Sequence, residues 1–428
     1  MDTIIFHIDV NSAFLSWTAI EELKKGSDTD LRLIPSIIGG SRESRHGVVL
    51  AKSVPAKKFG IHTGEPVAHA LRKCESLTIA PPDHAMYRRY SHQLMDLLGT
   101  YTPDLEQLSI DECFLDFGPI AHRYESPLAA AQMISNEIKT KLGFTVNIGI
   151  APNRLLAKMA SDFEKPDKIH TLFPEEIPKK LWVLPIEDLY MVGRSSSNRL
   201  RSLGITTIGE LAHTDKDFLI REFKSHGTLM WEYANGIAPA EVCSDTGKLK
   251  GVGNSTTLPK DVKEAAEAKQ VLLSLAEQVC ARLRKSAQLA QSVTVEIKYH
   301  TFQSCSHQGP LLFPTNTTQS IYELSCRLFD ELWDGTPIRL LGIRTGKLLD
   351  EDEPIQMNLF QMDPSFETSS GNRADSTGNQ PANLFSDQKS QKQQRLDEAL
   401  DQIRGRFGKD AVMRGSLLME NHTEKEEP

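Results

Sequence analysis

A run of strand formers from Ile4 to Ile8 ends on a carboxylate, Asp9, and the stretch that follows to Lys25 has a helical pattern. Further strand patterns fall at 33–38, 47–51 and 77–80, and a long helix is predicted over 83–100. The segment LEQLSIDECFLDF, 105–117, reads as two short strands around a tight turn. A helix over 127–142 leads into a strand over 144–151, and another helix starts near Asn153, a good N-cap residue. Up to residue 172 the pattern is that of an α+β core built on an antiparallel sheet. Residues 173–238 look all-helical. Within them, 190–211 is a helix–short turn–helix pattern with Gly193 as the turn residue and Leu200, Leu203, Ile205, Ile208 and Leu211 at apolar spacing. Residues 239–250 form a polar connector. A second α+β unit spans 251–348, with a helix over 270–289 and a strand over 292–300 that alternates Val293, Val295, Ile297 and Tyr299 against polar neighbours. From 361 to 393 the chain is rich in Ser, Asn, Gln and Asp and is predicted to be disordered, with an amphipathic helix returning over 395–407.

The length of 428 residues exceeds one ordinary core and predicts several domains. No apolar run approaches the roughly 18 residues that span a bilayer, and no secretory signal is visible. The six cysteines stand singly at 74, 113, 243, 280, 305 and 326, without a C-x-x-C pair. That argues against structural zinc and a disulfide framework, and for a reducing cytoplasm. The net charge of −8 is unsuited to a nucleic-acid binder as a bulk figure, but its distribution changes the picture. Residues 349–428 hold 16 acidic and 9 basic residues, so the tail carries nearly all the excess, whereas 250–348 hold 12 basic against 9 acidic.

The strongest chemical signal is Asp9 together with the contiguous pair Asp111-Glu112. Each follows an apolar run expected in the sheet, and acids gathered at strand ends are costly unless a cation compensates them. The bland reading is a set of solvated strand-end acids. The sharper one is a pair of Mg²⁺ ions about 4 Å apart, the standard device for in-line phosphoryl displacement. Mg²⁺ needs only a few carboxylates beside substrate phosphates and water.

The segments HIDVNSAF (7–14) and LSIDECFLDF (108–117) resemble the two signature motifs of the Y-family, the translesion DNA polymerases. APNRLLAKMASDFEKP (151–166) resembles the family's next motif, and KGVGNSTTLPKDV (250–262) resembles the start of its little-finger domain. The likeness is to the bacterial DNA polymerase IV and UmuC-like branch and extends to residue 348. It implies an α+β, right-hand polymerase: a palm at 1–33 and 80–172, small fingers at 34–79, a helical thumb with a helix-hairpin-helix at 173–238, a linker at 239–250, a little finger at 251–348, and a largely disordered tail at 349–428. It implies that Asp9, Asp111 and Glu112 hold two Mg²⁺ ions with the backbone carbonyl of Val10. It places Phe14 as a steric gate under the sugar, where a ring leaves no room for a 2′-hydroxyl. Lys165, before Pro166, falls at a phosphate-contacting lysine. In SVPAKKFG (53–60) the family's phosphate-touching Tyr and Arg are replaced by Val54 and Lys57. Lys57 keeps a charge without a bidentate fork, and Val54 has no donor.

For DNA, the turn at Val192-Gly193-Arg194 resembles one that offers backbone amides to a phosphate. Lys250, Lys260, Arg282, Arg284, Lys298, Arg339 and Arg344 are candidates for a DNA-facing sheet and its rim, each competing with plain surface charge. In the tail, Gln356-Met357-Asn358-Leu359-Phe360 resembles the bacterial sliding-clamp peptide, with Gln356, Leu359 and Phe360 as anchors; QPANLF at 380–385 is a weaker second candidate. The expected protein is a cytoplasmic, monomeric, template-directed, low-fidelity DNA polymerase acting on primer-template DNA and dNTP. Two other readings are a polymerase-like adaptor carrying a clamp peptide and a nucleotide cyclase, which also uses two metal-bound acids but has no need of 173–348.

Overall fold

The computed structural model describes residues 3–40, 47–243, 247–353, 383–408, 411–412 and 414–415. The chain divides into two compact units, Met1–Thr246 and Gly247–Pro428. Among the described residues no helix is long and apolar enough to cross a membrane.

The first unit opens with β1 (Ile5–Val10) and α1 (Ala13–Lys24). A small subassembly follows: β2 (Ser36–Gly39), β3 (Val49–Lys52), α2 (Val54–Lys58), α3 (Val67–Lys73) and β4 (Thr78–Ala80). Next come α4 (His84–Gly99), β5 (Leu105–Gln107), β6 (Glu112–Asp116), α5 (Pro127–Leu142), β7 (Val146–Ala151), α6 (Arg154–Asp162) and β8 (Ile169–Thr171). The large sheet has the order β5-β6-β1-β7-β8. It is antiparallel, as expected, except that β8 runs parallel to β7.

Every residue of β1 is buried, because both faces of this central strand are covered. Phe6 and Ile8 join the core made with Trp17, Tyr87, Leu94 and Phe144, whereas Ile5 joins Phe114, Leu155 and Leu156 on the other face. Gly149 in β7 makes the second packing possible: a Cβ there would collide with the backbone of Ala157 and Ser161 in α6. The small sheet, β3-β2-β4, has its own core of Ile37, Val49, Ala56, Ile61 and Val67. Its first strand begins at Ser36 rather than at 33, because Leu33 is 77% exposed and Pro35 has no amide for a ladder.

The remainder of this unit is helical: α7 (Ile177–Lys180), α8 (Arg194–Ser202), α9 (Ile208–His213), α10 (Lys216–Phe223) and α11 (Ser225–Ala234). The turn between α8 and α9 differs from expectation. The left-handed glycine there is Gly204 (φ +84°), while Gly193 is extended and N-caps α8.

The second unit contains β9 (Gly251–Val262), α12 (Ala265–Lys285), β10 (Gln288–Tyr299), β11 (Ser304–Thr315), α13 (Thr318–Leu332), β12 (Ile338–Gly346) and β13 (Leu349–Asp350). The sheet order is β11-β10-β12-β9, antiparallel throughout, with β13 paired to the start of β10. Val293, Val295, Ile297 and Tyr299 are buried under α12 and α13, as their alternation predicts. The helix expected to reach 289 stops at Lys285. Ala287 is left-handed (φ +49°), and Gln288 and Leu289 pair with β13 instead.

The last helix, α14 (Asn383–Phe407), starts well before 395 and covers part of the stretch expected to be disordered. Its anchoring is ionic. Asp397, 1% exposed, receives Arg414 Nη2 at 2.7 Å and caps α13 by accepting the Thr318 amide at 2.8 Å. Arg284 of α12 donates to Asp401 at 2.7 Å and lies 3.5 Å from Asp397. Glu277 of α12 accepts from both Arg404 and Arg414. Arg284 therefore belongs to this buried cluster and not to a DNA-facing rim. Removing one member of such a cluster strands its partners in a dry site. Asp397→Ala is expected to destabilise the second unit by about 3–5 kcal/mol, measured by urea denaturation; a change below about 1 kcal/mol would show the cluster to be energetically neutral.

Candidate active site

The antiparallel pairing of β1 with β6 sets Asp9 opposite Glu112, and the Val10 amide donates to the Asp111 carbonyl at 3.0 Å. Two chain segments about a hundred residues apart thereby bring three carboxylates to one end of the sheet. After β1 the chain turns through Ser12, a non-glycine residue in the left-handed region (φ +46°), and enters α1. The turn keeps Asp9 and Phe14 on one cavity of about 350 Å³, whose walls also include Val10, Asp111, Glu112 and Lys165.

Each carboxylate is engaged separately. Asp9 accepts from Lys165 Nζ at 2.5 Å, and Lys165 also reaches Asp162 at 2.8 Å. Glu112 accepts from Lys158 at 2.9 Å. Asp111 accepts from the Ser109 hydroxyl at 2.7 Å. Among the described residues no three acidic, His or Cys side chains form a ready-made metal cage. The donor set nonetheless fits a hard divalent cation: carboxylate oxygens only, on one cavity, with two ammonium groups meeting the same electrostatic demand that a cation would. Burial pushes the Asp9 carboxyl up, with Lys165 opposing it. Burial acts the same way on Glu112, but the imidazole of His7 and the Lys158 ammonium outweigh it and bring that carboxyl down to about 2.

Sequence reasoning missed the supports behind these acids. Lys158 projects from α6, which Gly149 allows to lie close to the sheet. Fully buried His7 accepts or donates at Ser161 Oγ, 2.8 Å away. Its Nε2 stands 3.7 Å from Glu112 and has no hydrogen-bond partner. A buried amide pair holds the loop that carries Lys165: Asn11 donates to Asn147 at 3.0 Å and accepts from the Asp167 amide at 2.9 Å, while Asn147 donates to the carbonyls of Ser161 and Glu164. The only cue to these residues was their polarity inside strand and helix patterns.

Phe14 stacks on Tyr87 of α4, with centroids 4.3 Å apart and planes 6° apart, and meets the edge of His84. The ring is half-buried and fixed by a layer of aromatic side chains beneath it. Lys57 falls outside the cavity: α2 buries Ala56 and turns Lys57 to solvent, and Val54 is 50% exposed. Lys52, at the end of β3, lines the cavity instead.

At α8 the first amides are open. Gly193 gives no side-chain cap, a Cβ there would meet nothing within 4 Å, and Arg194 is exposed. In the second unit Lys250 is exposed just before β9. The face of that sheet away from the helices carries a polar trough of about 570 Å³ lined by Thr294, Glu296, Ser306 and Arg344. Arg339 lies over the Phe302 ring and Arg282 donates to the Gly253 carbonyl. Gln356, Leu359 and Phe360 lie outside the described residues, as do 380–382 of the second clamp-like segment.

Comparison with known proteins gives a consistent result. The model of the impB/mucB/samB family matches residues 8–162, and that of the family's C-terminal domain matches 249–359. DNA polymerase IV of Clostridium acetobutylicum is 43% identical over 427 residues, covering 100% of both chains. DNA polymerase IV of Alkaliphilus oremlandii is 34% identical over 98% of this chain and 100% of its own. Among solved structures, a Y-family DNA polymerase chimera superposes with a TM-score of 0.70 at 21% identity, over 81% of this chain and 99% of that one. The chain belongs to the impB/mucB/samB family, alongside the bacterial DNA polymerases IV.

Proposed function

We propose that this protein is a template-directed, low-fidelity DNA polymerase that extends a primer 3′-hydroxyl with dNTP, releases pyrophosphate and depends on divalent metal. The observation that carries the reading is the convergence of Asp9, Asp111 and Glu112 on the cavity that also holds Phe14 and Lys165. Membership of the family over nearly the whole chain disfavours a cyclase, and retention of all three acids disfavours an inert adaptor. Two Mg²⁺ ions bound by these carboxylates and the Val10 carbonyl would lower the pKa of the attacking hydroxyl and neutralise charge on the departing pyrophosphate.

The chain's own residues do the rest. Lys158 keeps Glu112 ionised, so that it is a ready ligand at neutral pH. Lys165 is held within reach of the acids by the Asn11–Asn147 pair, and its ammonium would exchange its ion pairs with Asp9 and Asp162 for the triphosphate. Phe14, backed by Tyr87, occupies the space under the sugar and rejects a 2′-hydroxyl. We assign the palm to 1–33 and 80–172, the fingers to 34–79, the thumb to 173–238, the linker to 239–250 and the little finger to 251–348. Among the described residues the fingers sheet has three short strands, so it offers a small cover over the nascent base pair. Weak enclosure tolerates distorted templates at the expense of selectivity. The open amides of α8 with Gly193 and Arg194, together with Lys250 and the Arg344 trough, supply backbone contacts without sequence readout. Gln356, Leu359 and Phe360 would engage a sliding clamp, with the protein itself a monomer.

In steady-state primer extension with Mg²⁺, Asp111→Ala is expected to lose on the order of a thousandfold in rate while retaining affinity for primer-template in a gel-shift assay. Near-normal extension by that variant would refute the assignment. Phe14→Ala should lower the preference for dNTP over rNTP by roughly a hundredfold, read as the ratio of kcat/KM values. Replacing Gln356, Leu359 and Phe360 together by Ala should abolish stimulation by the clamp on primed circular DNA; retained stimulation would place the contact elsewhere.

A further inference from the structure

The cavity that holds the three acids has two lysines in its wall, Lys165 and Lys52. They differ in one respect. Lys165 is committed to Asp9 and Asp162, whereas Lys52 has no hydrogen-bond or ion-pair partner among the described residues. Glu65, an acid whose charge acts on it, is taken by Lys73 at 2.6 Å. Lys52 is also well placed. It pairs with Ile37 across the small sheet, and the next residue, Ser53, is pinned at three points: its hydroxyl donates to the Ile34 carbonyl and accepts from the amides of Ser36 and Ala56. The stem of Lys52 therefore starts from a rigid backbone, and the residue is half-buried on the cavity wall. Burial pushes its pKa down, and the charge of Lys57 adds to that. An ammonium that burial and a neighbouring cation both disfavour is relieved by an anion.

The residues that replace the family's phosphate-touching Tyr and Arg in this segment, Val54 and Lys57, face solvent. A polyanionic triphosphate entering this cavity needs positive charge beyond Lys165, and Lys52 is the other lysine in the described lining. Resting on the polymerase reading above, we propose that Lys52 is the second triphosphate-binding cation of this enzyme, acting from the end of β3 in place of a contact from α2. As a compact point charge on a flexible stem it can follow the β- and γ-phosphates without fixed bidentate geometry.

The test is single-nucleotide incorporation on four primed templates, one for each dNTP. Lys52→Ala should raise the KM for dNTP by about ten- to hundredfold, the range of a lost charge-assisted hydrogen bond, with a much smaller change in kcat. The increase should be alike for all four bases, because the phosphates are common to them, and Lys52→Arg should restore most of it. Lys57→Ala should show a smaller increase than Lys52→Ala. The proposal is overturned by an unchanged KM in Lys52→Ala, by a loss confined to one base, or by a loss at Lys57 that equals or exceeds the one at Lys52. Lys52→Gln, which keeps the length of most of the stem, guards against a folding defect: its KM should rise as in Lys52→Ala, and a wild-type KM in it would count against a charge contact. Failure of the wild-type protein to extend any primer would instead defeat the polymerase reading.

Discussion

The cross-strand pairing of Asp9 with Glu112 is the constraint on which the site depends. A hydrogen-bonded ladder fixes the distance between two carboxylates that the chain separates by about a hundred residues, and Asp111 follows because its carbonyl receives the Val10 amide. Gathering three acids at the end of a buried sheet is unfavourable unless cations answer them. The surrounding structure can be understood as a set of answers. Lys158 comes from a helix that lies close only because Gly149 has no side chain, and Lys165 comes from a loop held by two buried amides. A change in β7 or α6 thus reaches these three acids without involving them directly.

The parts of this design that could be read in the sequence are those written in local pattern. The strand ending at Asp9, the Asp111-Glu112 hairpin, the alternation of Val293 to Tyr299 and the long helices all follow from residue periodicity, and the structure has them close to where that periodicity puts them. Boundaries set by tertiary contacts were not legible. The end of α12 depends on Ala287 and on β13 sixty residues later, and the α8–α9 turn depends on Gly204 rather than the earlier glycine. The parallel pairings of β2 with β4 and of β7 with β8 left no mark on local pattern either.

The candidate site was legible in its acids and its aromatic ring, which stand at strand and helix ends with unusual chemistry for those places and line one cavity. Its lysines were harder. Lys158 looks like one more polar position on an amphipathic helix, and Lys52 drew no notice beside the segment that singled out Lys57. The burial of Ala56 sets the rotation of α2 and leaves Lys57 outside the cavity that Lys52 lines. His7 and Asn147 were invisible for a related reason: a polar residue inside a strand pattern declares its importance only when its partner from another element is known.

The anchoring of α14 bears on how the molecule can be shortened. The composition after residue 349 invites trimming the chain at Glu353, as if everything beyond were an appendage. Such a cut would take away Asp397, Asp401, Arg404 and Arg414 and leave Arg284 and Glu277 of α12 without countercharge, with the Thr318 amide bare at the head of α13. The shortened protein would then be compared with the parent as though only a tail had changed, when part of the second unit's interior had been opened to water.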